Sequence, residues 1–293
     1  MKEQPKLNVD ITGSVSEFEA LMKEFVLKTK LYRMLFIAKA LDFDGYRDYS
    51  TLDDASAIDW KASVRANKIL VKKYKEEENL RVVFVVDMGE NMVLGSGEKL
   101  KCEYAAEVVG ALAHFIMSSG DRVGMVIFSK DVIDYLMPAR SDNHFRAIVE
   151  ILTNSENYYG GSNLKKALEY LLDYVRSNAI IIVSDFSGFN KETKEVLNLV
   201  VSKFETMALI IKDPIDKTLP DVSGELIVED PKTGEQILIN PKIARKTYEK
   251  NVREKEKFLI KSLTESGVDF TELMTNVPFV PVLADFLRTR VKI

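Results

Sequence analysis

The stretch Leu80-Arg81-Val82-Val83-Phe84-Val85-Val86-Asp87 decides the fold class of this chain of 293 residues. Apart from Arg81 it is apolar until the final aspartate, as is typical of a strand buried on both faces of a parallel sheet. From this strand onward, short apolar runs alternate with segments of helical periodicity, the pattern of βαβ units. The sequence therefore predicts an α/β fold with a doubly wound, mostly parallel sheet.

The remaining elements are predicted by the same criteria of apolar run length and periodicity. Strands are expected at Arg122–Phe128, Val132–Met137, Ala179–Ser184, Glu205–Ile211 and Val268–Leu273. Helices are expected at 102–120, Phe145–Leu152, Leu164–Val175, Lys191–Ser202, 244–263 and Val280–Arg288. Turn residues 230–235 separate two short β-type runs, which predicts a β-hairpin of Leu226–Val228 with Ile237–Ile239.

These elements suggest a division of the chain at residue 79. Residues 80–293 are predicted to form the sheet domain, with the hairpin as an insertion at about 213–240. Residues 1–79 form an N-terminal extension with an amphipathic stretch, Phe18–Leu41, a polar stretch and a probable strand, Ile69–Tyr74. Pattern alone leaves open whether this extension is a separate domain or an edge of the sheet.

Composition excludes several classes of function. The chain has 41 Lys+Arg and 45 Asp+Glu, a net charge of -4, and so lacks the basic footprint of a nucleic-acid-binding protein. One cysteine, Cys102, and two histidines, His114 and His144, rule out a disulfide framework and metal centres built from sulfur or imidazole. We expect a cytoplasmic protein, because no apolar stretch has the length of a signal peptide or membrane span. The scarcity of glutamine beside abundant Lys and Glu hints at a thermophilic source.

Polar residues at the strand ends are the first functional candidates, because ligands of open α/β sheets bind outside the carboxyl ends of the strands. Asp87 and Asp185 each end an apolar strand, and Ser162 follows Gly160-Gly161 before a helix. Each residue also has a local explanation. Ser162 would cap the helix, and the two aspartates would accept hydrogen bonds from loop N–H groups.

Together these residues resemble the metal-ion-dependent adhesion site of the von Willebrand factor A fold. That site uses an Asp-x-Ser-x-Ser loop, a hydroxyl from a second loop and an Asp from a third. The resemblance implies Mg²⁺, or Mn²⁺, held by oxygen ligands, with one position open for a partner's carboxylate. Here the first loop is Asp87-x-Gly89-x-Asn91, so the site is degenerate and Gly89 offers no oxygen. Its expected ligands are Asp87, Asn91, Ser162 and Asp185, with Glu90 and Gly161 facing the partner.

A second resemblance starts in the polar stretch, residues 47–65. Arg47-x-Tyr49, the pair Asp53-Asp54 and Ile58-Asp59-Trp60 followed by Arg65 are similar to the hallmark segment of the prokaryotic family called domain of unknown function 58. Departures are Thr51, Leu52 and Ser56. The similarity continues to the end of the chain through Asp121–Gly124, Ser184-Asp185-Phe186, Asp213-Pro214, Leu219-Pro220-Asp221, Asp230–Glu235 and Phe286-Leu287-x-x-Arg290.

The family resemblance implies a non-catalytic protein-interaction module whose partner is a MoxR-type AAA+ ATPase, acting in protein assembly or maturation. A second hypothesis is a metal-independent scaffold that recognises partners through 47–65, with Arg47, Asp59, Trp60 and Arg65 as an ion-pair cluster or as partner contacts. A metal-dependent hydrolase at Asp87 and Asp185 comes third. Phosphate-loop and nucleophile-elbow motifs are missing from the sequence, which disfavours an enzyme.

Overall fold

The protein is described here from a computed structural model, which defines residues 7–23, 43–50, 58–74, 80–221, 224, 226–229 and 236–291. The main sheet has six strands: β3 (Arg81–Asp87), β4 (Arg122–Phe128), β5 (Val132–Ala139), β6 (Ala179–Ser184), β7 (Glu205–Lys212) and β10 (Asp269–Met274). Their spatial order is β10-β7-β6-β3-β4-β5. All neighbours are parallel except β4 and β5. The doubly wound, mostly parallel sheet predicted from the sequence is confirmed.

Helices cover both faces of this sheet, because the buried strands send alternate side chains to opposite sides. Val82, Phe84 and Val86 face one core, and Val83 and Val85 face the other. The first core is covered by α1 (Ile11–Lys23), α3 (Lys101–Ser118), α4 (Asp142–Thr153) and α9 (Phe279–Val291). The second is covered by α5 (Leu164–Tyr174), α6 (Lys191–Lys203) and α8 (Pro241–Ser266), the last following the short α7 (Pro214–Lys217).

Helix α1 is part of the first core although it comes from the N-terminal extension. Phe18 and Met22 are fully buried, and Phe18 packs edge-to-face on Phe115 of α3 at a centroid distance of 5.4 Å. The chain that leads into α1 is hydrogen-bonded to α3 as well, from Asn8 N to Glu103 Oε1 at 2.6 Å. At least this part of the extension therefore belongs to the layered sheet domain.

Two further sheets have two antiparallel strands each. The first pairs β1 (Phe43–Asp48) with β2 (Leu70–Tyr74) and carries the short helix α2 (Trp60–Ala66), so the predicted strand at 69–74 joins this sheet and not the main one. The second is the predicted hairpin, β8 (Leu226–Glu229) with β9 (Gln236–Ile239). Thr51, Leu52, Ser56, the hairpin turn 230–235 and the amphipathic stretch after Lys23 lie outside the described residues.

The edge strand β5 is irregular where it passes Gly124 of β4. The pairing register shifts between Val123 and Met125, and a Cβ on Gly124 would lie 2.9 Å from the carbonyl oxygen of Leu136 and 3.0 Å from the ring of Pro138. Glycine is thus required for the two strands to approach closely here. Across the described part of the chain, none of the helices combines the length and the apolar character needed to span a bilayer.

Candidate functional site at the carboxyl ends of the central strands

The candidate site lies where the two central strands, β3 and β6, end side by side. They are parallel neighbours, and the chain leaves them toward helices on opposite faces of the sheet. This is the switch point at which open α/β sheets bind ligands. Asp87 is the last residue of β3. Ser184 is the last residue of β6, and Asp185 comes directly after it. The structure brings the four predicted ligands, Asp87, Asn91, Ser162 and Asp185, together at this edge.

Asp87 is fully buried and is held by four hydrogen-bond donors. Its Oδ1 accepts from the Gly89 amide at 2.9 Å. Its Oδ2 accepts from Ser184 Oγ at 2.7 Å, Ser162 Oγ at 2.8 Å and Asn91 Nδ2 at 3.2 Å. Burial, together with the nearby charge of Asp185, nevertheless raises the pKa of Asp87 above its ordinary value, and the hydrogen bonds only partly oppose this.

Asp185 is equally buried but has a cation beside it, Lys101 at the start of α3. Lys101 Nζ donates to Asp185 Oδ2 at 2.7 Å, while the Ser187 amide donates to Asp185 Oδ1 at 2.9 Å. Burial alone would raise the pKa of Asp185, but the charge and hydrogen bond of Lys101 outweigh it and lower this pKa. Sequence reasoning missed Lys101, because a lysine at the start of an amphipathic helix reads as a solvated flank.

Gly89 and Asn91 explain how this loop differs from an Asp-x-Ser-x-Ser loop. Asn91 Oδ1 lies 2.2 Å from the point where a Cβ on Gly89 would be, so the amide of Asn91 fills the space of a side chain at position 89. Its Nδ2 faces Asp87, whereas Oδ1 is buried without a hydrogen-bond partner. The loop thus retains one neutral oxygen in this place.

The second loop of the site is fastened to the first through Glu90. Glu90 Oε1 accepts from the Gly160 amide at 2.9 Å, and the Glu90 amide donates to the Gly160 carbonyl at 2.9 Å. Ser162 does not cap the following helix, which was the local role expected for it from the sequence. The cap of α5 is Asn163, which accepts from the Lys166 amide at 3.3 Å, and the Ser162 hydroxyl is thereby free to bind Asp87.

A cleft of about 520 Å³ opens beside this loop, between the first turns of α5 and α6. Gly161 and Ser162 line it, with lysines 130, 165 and 166 at its sides. Lys165 is paired with Glu192, and Lys166 with Asp131. Gly161 and Ser162 are only half-buried, so the cleft is where another molecule can reach the site.

The residues present do not fit a divalent cation bound in the way that the resemblance implies. Both oxygens of Asp185 are already bonded, Gly89 has no side-chain oxygen, and Asp87 Oδ2 accepts three hydrogen bonds. The one unbonded oxygen is the amide Oδ1 of Asn91, a neutral ligand. Within the described ranges, no group of three His, Cys, Asp or Glu side chains is placed to hold a metal ion.

The other predicted residues, Arg47, Asp59, Trp60 and Arg65, lie in the small sheet of β1 and β2 with α2. Asp59 is the N-cap of α2: its Oδ1 accepts from the Ala62 amide at 3.0 Å, and its Oδ2 from the Tyr46 hydroxyl at 3.2 Å. Arg47 donates to the carbonyl of Asp48 at 3.3 Å. Arg65, in the last turn of α2, is exposed, and so is Trp60.

Comparisons with known proteins identify the family. An uncharacterized protein of Mycobacterium tuberculosis is 24% identical over 191 residues, which are 64% of this chain and 60% of that protein. An uncharacterized protein of Mycobacterium bovis matches with the same identity and the same coverage. The chain thus spans about 60% of the length of these curated relatives.

Several solved structures resemble this chain at low sequence identity, 9 to 15%. They include BatB from Bacteroides thetaiotaomicron (14% identity, 73% of this chain and 100% of that chain, TM-score 0.48). They also include the von Willebrand factor A domain of SpRpn10 (10% identity, 72% and 95%, TM-score 0.37). Residues 45–258 match the family described as "Protein of unknown function DUF58", and the chain belongs to that family.

Proposed function

We propose that this chain is a non-catalytic protein-interaction module, and that it binds its partner through the outer face of α2. The proposed partner is a MoxR-type AAA+ ATPase, the class that the family resemblance implies, and the pair would act in protein assembly or maturation. Binding through α2 needs no metal. The Mg²⁺ or Mn²⁺ dependence expected from the sequence is the alternative, and adding a chelator distinguishes metal-independent binding through α2 from metal-dependent capture at the strand ends.

The observation that carries the proposal is the exposure of Trp60 and Val64. Their side chains are 64% and 80% exposed and lie one turn apart on the same face of α2. Tryptophan is enriched among the residues that dominate binding free energy, and covering this exposed apolar pair with a partner surface would be favourable.

Hydrogen bonds hold α2 in place on the small sheet, and a preformed binding face lowers the entropic cost of binding. Asp59 caps the first turn of α2, and Ser63 fastens the helix to β2: its Oγ accepts from the Leu70 amide at 2.8 Å and donates to the Asp59 carbonyl at 2.7 Å. Lys61 and Arg65 are exposed on the same helix. The charges favour a partner segment with acidic residues around an apolar centre.

The test is a binding titration of the purified chain with the MoxR-type ATPase of its own source organism. We expect Trp60→Ala to weaken binding by about thirtyfold, the effect of a hot spot worth about 2 kcal/mol. Val64→Ala should weaken it less. Matched controls are Tyr174→Ala and Ile243→Ala, which remove side chains of similar exposure from α5 and α8 (67% and 78%) and should leave the affinity unchanged.

Two results would contradict the proposal. One is the failure of the wild-type chain to bind the ATPase with or without nucleotide. The other is equal affinity of the wild type and Trp60→Ala. Binding that is lost with chelator and is insensitive to Trp60→Ala would instead support metal-dependent capture at the strand ends.

A further inference from the structure

Lys101 is the least expected residue of the strand-end site, because a lysine is almost never fully buried unless it is paired. Its side chain is 1% exposed. Besides Asp185, its Nζ contacts both carboxylate oxygens of Asp216, at 3.1 and 3.3 Å. The lysine thus joins an acid at the end of β6 to an acid in α7, with α3 supplying the cation.

A positive charge at the position of Lys101 on α3 is electrostatically unfavourable unless Asp185 and Asp216 neutralise it. It is the first residue of an 18-residue helix, where the helix dipole already favours negative charge. The two carboxylates more than compensate, and the charges of Asp185 and Asp216 raise the pKa of Lys101 in spite of its burial. The ammonium group lies between two carboxylates, 2.7 Å from Asp185 Oδ2 and 3.1 and 3.3 Å from the oxygens of Asp216, which is the geometry of a buried ion pair.

The ammonium group and a divalent ion would compete for the same carboxylate. Lys101 bonds Asp185 Oδ2, and the Asp185 carboxylate is the acid that the adhesion-site resemblance assigns to the metal. A second cation, Lys212, donates to the backbone carbonyl of Asp185 at 2.6 Å. A divalent ion on Asp185 would have two ammonium groups beside it in a buried environment, where like charges are poorly screened.

We infer that Lys101 is a built-in cation that takes the place of the divalent ion at this site, so that the strand-end loops are ordered without metal and exclude Mg²⁺. Asp216 of this chain takes the role that the resemblance gives to a partner's carboxylate. The hydroxyls of Ser162 and Ser184 bind Asp87 in place of a metal ion. This inference concerns the site alone and does not depend on the partner proposed above.

Removal of the lysine gives a test with a gain of binding. Lys101→Met keeps the length of the side chain and removes its charge, and Lys101→Ala leaves room for a hydrated ion. The loss of the free-ion EPR signal would report Mn²⁺ uptake, and the melting temperature would be followed with Mn²⁺, Mg²⁺ and EDTA. The matched control for each variant adds Asp185→Asn.

The wild type should show no saturable uptake at millimolar Mn²⁺ and the same melting temperature in EDTA. At least one lysine variant should bind Mn²⁺ at least tenfold more tightly than the wild type, with its melting temperature raised by the metal. This gain should disappear when Asp185→Asn is added. A lysine variant that folds only with Mn²⁺ also supports the inference.

The inference is overturned if the wild type binds Mn²⁺ saturably and loses it in Asp185→Asn. It is equally overturned if neither lysine variant gains Mn²⁺ affinity, whether they fold or not. Neither measurement uses the ATPase, so this inference and the proposed function can fail separately.

Discussion

At the scale of single residues, the strand-end site is a cluster of groups that satisfy one another. Asp87 accepts four hydrogen bonds, and Asp185 is neutralised by Lys101. The two buried acids consequently differ in the direction of their pKa: burial prevails at Asp87, and the neighbouring cation prevails at Asp185. The difference gives the stability a measurable dependence on pH.

The pH prediction concerns Asp87. Because its pKa is raised on folding, the folded protein binds this proton more tightly than the unfolded chain. The contribution of Asp87 to the free energy of unfolding is therefore greatest at acid pH and is lost as the pH rises through the raised pKa. Urea unfolding of the wild type and Asp87→Asn, from about pH 4 to about pH 8, should show the wild type losing stability relative to the variant as the pH rises.

Asp185 is expected to behave with the opposite sign, at more acidic pH than this range, because its pKa is lowered. Its contribution is present above the ordinary aspartate pKa and is lost as the pH falls through the lowered value. A wild-type advantage over Asp87→Asn that grows toward alkaline pH would contradict the assignment.

A second prediction at this scale concerns the crowding of Gly89 and Asn91. Gly89→Ala places a Cβ 2.2 Å from Asn91 Oδ1 and should lower the free energy of unfolding by about 1–3 kcal/mol, the usual cost of overpacking. In the Asn91→Ala background the same change should cost much less, because the clashing atom is gone. Urea unfolding of the four proteins of this cycle measures the coupling, and additive effects would show that the two residues do not compete for space.

At the scale of elements, α1 is tied to the main domain by its close approach to α3. A Cβ on Gly110 of α3 would lie 2.7 Å from Ile11 Cδ1, and the Asp10 amide donates to Glu107 Oε1 at 2.7 Å. The N-terminal helix and the buried acids of α3 therefore stabilise each other's positions. Helix α1 of the N-terminal extension is thus packed in the first core.

Phe18→Ala tests this contact. The side chain is fully buried and packs edge-to-face on Phe115, so its loss should lower the free energy of unfolding by about 3–5 kcal/mol. Glu17→Ala, on the exposed side of the same helix, should change it by less than about 0.5 kcal/mol. Urea unfolding with both variants gives the comparison, and equal effects would mean that α1 does not contribute to the folded core in solution.

At the scale of the whole molecule, the C-terminal helix is fastened to the far edge of the main sheet by one arginine. Arg290 of α9 contacts Glu205 of β7 at 2.7 Å and Asp269 of β10 at 2.8 Å, and its side chain is 4% exposed. Each acid is the first residue of its strand, and the two strands pair in parallel with Asp269 opposite Met207, two residues after Glu205. The last helix and the last two parallel strands are thus held as one unit.

Arg290→Met should destabilise the protein by about 3 kcal/mol, because it leaves the nearly buried Glu205 without its cation. Arg288→Met provides the control: its pair with Asp285, three residues away on the same helix, is partly exposed and should matter by less than about 1 kcal/mol. Thermal or urea unfolding measures both. An Arg290→Met protein as stable as Arg288→Met would contradict this role of the ion pair.

The sequence was sufficient to predict the main sheet and the position of the site, for physical reasons. Long apolar strands are recognisable in the sequence as continuous apolar runs. The carboxyl ends of parallel strands meet at one edge of the sheet, which placed Asp87 and Asp185 together. Lys101 could not be recognised, since its burial depends on Asp216, 115 residues away. The choice of Asn163 over Ser162 as helix cap was equally hidden, because both are good capping residues and the backbone decides between them.

Strand β1 was missed for a different reason. Its sequence, Phe-Asp-Gly-Tyr-Arg-Asp, has low β propensity, and it forms a strand through pairing with β2, more than 20 residues later. Propensity within a short window carries no information about such a partner.

The irregularity of β5 opposite Gly124 bears on how the protein behaves when crowded with its own copies. An open sheet edge is a template on which another chain can add a strand and start aggregation. On β5 the regular ladder is interrupted by the register shift, and Pro138 has no N–H to offer to an incoming strand. Gly124 allows the close approach of β4 and β5 at this irregularity, so we expect its replacement by a larger residue to lower solubility as well as to disturb local packing.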